Sequence, residues 1–130
     1  MRTIVSQLNL GSNTLGNVLD LNDRDLANAV AFSPLGDYAF IATQGTNTIE
    51  VLDTLDAQNR IALTFAAGLA PQGLVVSPDG SRLFVQNFMG RSVGVYDISG
   101  VTGFTTNVAT LIATVSSVAA SKLTPTVLRI

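Results

Sequence analysis

Residues 28–54 read NAVAFSPLGDYAFIATQGTNTIEVLDT, and residues 72–98 read QGLVVSPDGSRLFVQNFMGRSVGVYDI. The two stretches align without a gap at an offset of 44 residues, so that Ser33 meets Ser77 and Asp53 meets Asp97. A period of about 40–45 residues with several strands in each copy is typical of β-propeller blades. The repeat therefore predicts an all-β chain, a β-propeller fragment with about two complete four-stranded antiparallel blades and partial blades on either side.

Each copy divides into four short β-type runs, which we label strands a, b, c and d of a blade. In the first copy they are predicted at Ala29–Ser33, Tyr38–Thr43, Thr48–Asp53 and Arg60–Phe65. In the second copy they are predicted at Gly73–Ser77, Arg82–Asn87, Ser92–Asp97 and Val108–Val115. The strands are apolar on both faces, which indicates sheets that are covered on both sides.

Turn residues separate the strands in a repeated pattern. Ser77-Pro78-Asp79-Gly80 fits a type I turn between strands a and b, and Ser33-Pro34-Leu35-Gly36 repeats it with Leu in place of Asp. Gly45 and Gly90 fall in the connections between strands b and c. Because glycine adopts positive φ without strain, we expect these two residues to supply it there.

The ends of the chain read as incomplete repeats. Residues 1–22 are predicted to end a preceding blade, with Thr3–Asn9 as strand c and Asn17–Leu21 as strand d, although Gln7 falls where Val51 sits and suggests a one-residue slip. Residues 23–67 and 68–117 form the two blades. Residues 118–130 begin a further blade or form a linker, because Pro125-Thr126-Val127-Leu128 is similar to the start of the second blade.

Composition restricts the chemistry that the chain can perform. It contains neither cysteine nor histidine, so Ser-His-Asp and Cys-His catalysis, thiolate metal sites and c-type haem attachment cannot be built from it. Only seven residues are Lys or Arg, and they are scattered singly, which argues against nucleic-acid binding. We therefore predict that this chain is not itself an enzyme and holds no catalytic residue, cofactor or metal.

One uncharged stretch, Ile98 to Ser121, is long enough to cross a bilayer. It is interrupted by Gly100 and Gly103, and its apolar part, Val108 to Ala120, is too short to span. The low charged fraction of 12% is better explained by sheets buried on both faces. We predict no membrane insertion.

Acidic residues offer two alternative interpretations. Asp53 and Asp97 end strand c in both copies, where they could line a pore or cap a turn by accepting backbone N–H groups. Their recurrence favours the cap. Asp23-Arg24-Asp25 could bind a ligand or form a weak cation site, but a solvated loop is favoured because exposed ion pairs are common and contribute little.

Binding, if present, is expected in loops, because the strands of a propeller are packed against one another. The b–c and d–a connections are expected to share one face. The alternative is that their side chains have no binding role and are ordinary surface residues of a loop. The candidate binding residues are Arg24, Gln44, Asn47, Gln72, Asn87, Phe88 and Arg91.

The two copies resemble the YVTN family of bacterial β-propeller repeats, through Val75-Val76-Ser77-Pro78-Asp79-Gly80 and Val93-Gly94-Val95-Tyr96-Asp97. The resemblance implies an extracytoplasmic location, either periplasmic or at the cell surface or secreted. It also implies a structural or binding scaffold within a larger bacterial protein, whose partners are the remaining blades, a second copy or another protein. The alternative is a fragment of a lactonase-like hydrolase or of a propeller-cytochrome or peroxidase-like oxidoreductase whose chemistry lies outside this chain.

Overall fold

The computed structural model describes residues 3–12, 14–21, 26–55, 61–103 and 108–116, which are mostly β-strand. Within these ranges a two-stranded hairpin precedes two four-stranded sheets. The elements are β1 (Thr3–Asn9), β2 (Thr14–Leu21), β3 (Ala27–Phe32), β4 (Tyr38–Thr43), β5 (Thr48–Asp53), β6 (Ile61–Ala66), β7 (Pro71–Val76), β8 (Arg82–Asn87), β9 (Ser92–Asp97), α1 (Ser99–Thr102) and β10 (Thr110–Ser116).

The two larger sheets are the predicted blades. Their strands pair in the orders β3-β4-β5-β6 and β7-β8-β9-β10, and every pairing is antiparallel. In the preceding hairpin, the register between β1 and β2 shifts between Ser6 and Leu8, on either side of Gln7. The division at residues 22–23, 67–68 and 117–118 stays a prediction, and the segment 118–130 lies outside the described residues.

Strands b and c have the predicted bounds in both blades, whereas strands a and d do not. Strand a begins two residues earlier than predicted, at Ala27 and Pro71, and ends before Ser33 and Ser77, which belong to the turns. Strand d is displaced to Ile61–Ala66 in the first blade and to Thr110–Ser116 in the second. The single turn of helix α1, in the connection between β9 and β10, was not predicted.

The blades stack through strand a of the second blade, because β7 lies against both β3 and β4. The core between them is formed by Phe40, Ala42, Ile49, Val51, Leu83, Val85, Tyr96, Ile98 and Val101. The Tyr96 hydroxyl donates to the carbonyl of Ala66 at 2.9 Å, and burial raises the pKa of this phenol. The opposite face of the first blade buries Ala39, Ile41 and Leu52, so both faces of this sheet are covered, as predicted.

The a–b turns have the predicted geometry. The amide of Gly36 donates to the carbonyl of Ser33 at 2.8 Å, and that of Gly80 donates to Ser77 at 2.9 Å. Both glycines have positive φ, 74° and 75°. The Ser77 hydroxyl accepts from the amide of Arg82 at 2.9 Å, which closes the hairpin from the other side.

The prediction that Gly45 and Gly90 supply positive φ is wrong. In the b–c connections positive φ falls on Asn47 (57°) and Arg91 (48°). These two residues are related by the offset of 44, whereas the two glycines are 45 residues apart. Leu26 (54°) and Ala70 (56°) form a further such pair. The repeat thus fixes backbone conformation at equivalent positions even where residue type differs.

Candidate binding site on the loop face

The b–c and d–a connections of each blade lie together, on what we call the loop face. The amide of Gln44 donates to the carbonyl of Leu26, and the amide of Phe88 donates to that of Ala70, both at 2.9 Å. Each bond joins a b–c connection to the d–a connection that leads into the same blade. The candidate residues of the two connections are therefore held on one surface.

A cluster of side-chain amides spans the two blades at this face. The Gln44 side-chain oxygen accepts from the Gln72 amide at 3.2 Å and from the Asn28 amide. Asn28 and Gln72 occupy equivalent positions in strands a of successive blades. Two of the predicted residues, Gln44 and Gln72, are thus brought together. Asn28 was missed, although its offset of 44 from Gln72 was a readable signal.

Two other predicted residues have their amide oxygens engaged with the backbone. The Asn47 side-chain oxygen accepts from the amide of Ala70 at 2.8 Å. The Asn87 side-chain oxygen accepts from the amide of Gly68 at 3.0 Å, and Asn87 is almost fully buried. Both side chains hold a d–a connection in place, which is a structural role, and Asn47 makes its bond between blades.

Phe88 and Arg91 differ from these residues, because their side chains are exposed to solvent. Phe88 is 60% exposed, and the neighbouring Met89 is also exposed. Arg91 is exposed as well, and no acidic side chain within the described ranges forms an ion pair with it. Arg24, the remaining candidate, lies outside the described residues.

A groove of about 410 Å³ runs from the loop face onto the outer side of the second blade. Its apolar lining includes Val75, Phe84, Phe88 and Val93, and its polar lining includes Gln86 and Arg91. Leu83 and Val85 belong to the core between the blades, so Phe84 between them points the other way. We call this outer side the open face.

Carboxylates at the opposite end act as turn caps. Asp53 accepts from the amide of Leu55 at 2.9 Å, and Asp97 accepts from the amide of Ser99 at 3.0 Å, as predicted. Hydrogen bonds from the Ser99 hydroxyl and amide, with help from Arg82, lower the pKa of Asp97. Bonds from the Ser77 hydroxyl and from the amide and hydroxyl of Ser81 lower the pKa of Asp79 to about 2.

A second cavity, of about 260 Å³, lies between the two a–b turns. Asp37 and Asp79 both line it, together with the hydroxyl side chains of Ser33 and Ser81. Within the part of the chain that the structure describes, no three acidic, histidine or cysteine residues gather closely enough to hold a metal ion. The cavity therefore presents two hydrogen-bonded carboxylates without a metal-binding arrangement.

Sequence reasoning missed a buried polar network in the first blade. Glu50 is fully buried, and its carboxylate accepts from the hydroxyl of Thr48 at 3.0 Å and from that of Thr64. The Thr48 hydroxyl bonds in turn to those of Thr43 and Thr46, at 2.7 and 2.8 Å. Such bonds are what permit a carboxylate to be buried. The signal was the alternation of polar and apolar residues in Thr48-Ile49-Glu50-Val51, which points Glu50 away from the second blade.

The fold is that of a β-propeller. The chain superimposes on the periplasmic gluconolactonase PpgL of Pseudomonas aeruginosa with a TM-score of 0.67 and 18% identity, over 94% of this chain and 37% of that one. It superimposes on the dihydro-heme d1 dehydrogenase NirN with a TM-score of 0.68 and 19% identity, over 91% of this chain and 23% of that one. It superimposes on the Swd1 β-propeller domain of Myceliophteria thermophila with a TM-score of 0.59 and 13% identity, over 78% of this chain and 35% of that one.

These similarities establish the fold alone, because all three identities are low. The chain spans well under half the length of each of these structures. No model of a known protein family matches the chain, and no curated protein matches it. Within the described residues, no helix is long and apolar enough to cross a membrane.

Proposed function

We propose that the chain is a non-catalytic β-propeller segment that serves as a structural or binding scaffold, supplying two blades to a larger assembly. The observation that supports this most strongly is the open face of the second blade. Phe40 on the first blade is fully buried between the blades, and its equivalent at the offset of 44, Phe84, lies on the open face. A face of this composition is suited to packing against a further blade.

The remaining positions of that face follow the same correspondence. Ile49 and Val51, which hold the second blade onto the first, correspond to Val93 and Val95. Val75 in the inner strand is 53% exposed. Contiguous exposed apolar surface on a soluble protein marks an interaction site. The partner is therefore another blade, contributed by a longer polypeptide or by a second copy.

The loop face is the proposed site for any further partner. It combines the Gln44–Gln72 amide pair with the exposed side chains of Phe88 and Arg91. Aromatic and arginine side chains are enriched at protein interfaces. A protein partner that supplies apolar contacts and hydrogen-bond donors or acceptors suits this surface.

A second candidate function is supported by the similar structures. One is named a periplasmic gluconolactonase and another a dihydro-heme d1 dehydrogenase. On this alternative the chain is part of a lactonase-like hydrolase or of an oxidoreductase, with the chemistry on residues outside it. Those names, with the resemblance to YVTN repeats, also support a periplasmic, cell-surface or secreted location.

Lactone hydrolysis by the purified chain tests the non-catalytic assignment, which both candidates share for these blades. The two candidates differ in whether a longer polypeptide that contains the blades hydrolyses lactones. The purified chain is incubated with δ-gluconolactone and with 6-phosphogluconolactone, and acid release is followed beside heat-unfolded chain and buffer. A scaffold is expected to leave both rates at the buffer value. Hydrolysis that depends on folded chain and disappears on unfolding would overturn the non-catalytic assignment.

A further inference from the structure

The groove on the open face is equivalent to a groove on the first blade that is already filled. On the first blade, β7 lies against β3 and β4, and the d–a connection before β7 crosses the b–c connection of the first blade. The open groove is lined by the equivalent elements of the second blade, β7, β8 and the b–c connection after β8. The filled groove therefore shows which contacts a blade makes with the first strand of the blade that follows it.

Two side-chain acceptors hold the incoming strand on the first blade. Asn47 accepts from the backbone amide of Ala70 at 2.8 Å, and Gln44 accepts from the side-chain amide of Gln72 at 3.2 Å. At the offset of 44, Asn47 is replaced by Arg91 and Gln44 by Phe88. A guanidinium has five N–H donors and no acceptor, and a phenyl ring has neither. The open groove thus offers no equivalent of either acceptor.

The replacement changes the side chain but not the backbone. Arg91 has φ 48° where Asn47 has 57°, and each amide donates to the carbonyl three residues earlier at 3.3 Å. Arg91 lines the groove, and no described carboxylate is paired with it. An incoming strand whose backbone N–H lay at this position would face a cation that cannot accept its hydrogen bond. One that presents a carboxylate would form a charge-assisted hydrogen bond.

We propose that the open groove binds an extended apolar β-strand preceded by an acidic residue, whose carboxylate pairs with Arg91. The strand side chains pack on Val75, Phe84 and Val93, as those of β7 pack on the first blade. This inference rests on the proposed scaffold function and specifies the chemistry of its partner.

The test uses three fluorescent peptides based on residues 65–76, which include β7 and the connection before it. One has the natural sequence FAAGLAPQGLVV, and the others carry Ala70→Asp or Ala70→Lys. Binding to the purified chain is measured by anisotropy. The Asp peptide is expected to bind about fivefold more tightly than the natural one, the effect of a partly exposed ion pair, and the Lys peptide more weakly.

The Arg91→Gln chain serves as the decisive variant, and Arg82→Gln as the matched control, since Arg82 pairs with Asp97 at the opposite end of the blade. The preference for the Asp peptide should disappear in Arg91→Gln and persist in Arg82→Gln. Equal affinities for the three peptides, or a preference that survives Arg91→Gln, would overturn the proposal. Lactone hydrolysis does not depend on these peptides, so failure of the scaffold assignment is distinguishable from failure of this one.

Discussion

The side-chain oxygen of Asn47 accepts a hydrogen bond from the backbone amide of Ala70 at 2.8 Å. This bond joins the b–c connection of the first blade to the d–a connection that leads into the second. Ala70 is almost fully buried, so its amide has no access to water as a substitute acceptor. The φ of 57° at Asn47 is also one that asparagine tolerates better than most residues.

Replacing Asn47 by Ala is expected to lower the free energy of unfolding by about 2 kcal/mol, from the unpaired amide and the strained φ. Asn47→Asp keeps both an acceptor and a tolerant backbone, so it should lose much less. Asn47→Gly isolates the hydrogen bond, because glycine removes the strain. Urea denaturation of the three variants checks this. Equal midpoints for Asn47→Ala and Asn47→Asp would show that the bond is unimportant.

The two turn glycines have the same backbone conformation, but different atoms surround them. Gly36 and Gly80 have φ of 74° and 75°, so Ala at either should cost about 1 kcal/mol through strain. A Cβ on Gly36 would meet nothing within 4 Å, whereas one on Gly80 would lie 3.2 Å from Cδ of Pro34. We expect Gly80→Ala to melt at a lower temperature than Gly36→Ala. The reverse order would contradict this packing between the turns.

Stability at low pH should depend on Asp79. Hydrogen bonds from Ser77 and Ser81 lower the pKa of its carboxyl in the folded chain from the ordinary value of 3.8 to about 2. Between these values the unfolded chain binds more protons, so the contribution is present above pH 3.8 and is lost as pH falls towards 2. Asp79→Asn should flatten that part of the stability profile. An unchanged slope in urea melts from pH 4 to pH 2 would show that the bonds do not form.

Local sequence rules predicted the blades well, because their signals are short-range. The Ser-Pro turns, with Gly36 and Gly80, and the apolar runs of β4, β5, β8 and β9 each identify themselves within a few residues. The bounds of strand a were less accurate, since they depend on hydrogen bonds to a distant connection, such as Gln44 to Leu26. The same holds for the positive φ at Asn47, which the neighbouring Gly45 obscured.

The candidate site was predictable only in part. Gln44 and Gln72 could be placed on one face by the repeat, but their contact depends on the rotation between blades. The bonds from the Asn47 and Asn87 side-chain oxygens to backbone amides could not be predicted from composition. Asn47 lies in a loop and Asn87 ends β8 beside one, and exposed asparagine is common in both places. The burial of Glu50 could not be predicted locally, because one of the two hydroxyls that bond its carboxylate belongs to Thr64 on a different strand.

The open face of the second blade is proposed to bind another blade. Sedimentation velocity over a wide concentration range tests this binding most directly. The variant is Phe84→Glu, which places a charge on the open face. The control is Leu35→Glu, at an exposed turn residue away from that face. The natural chain and Leu35→Glu are expected to associate as concentration rises, and Phe84→Glu to associate much less while melting at a similar temperature. A natural chain that stays a stable monomer at high concentration would contradict the account.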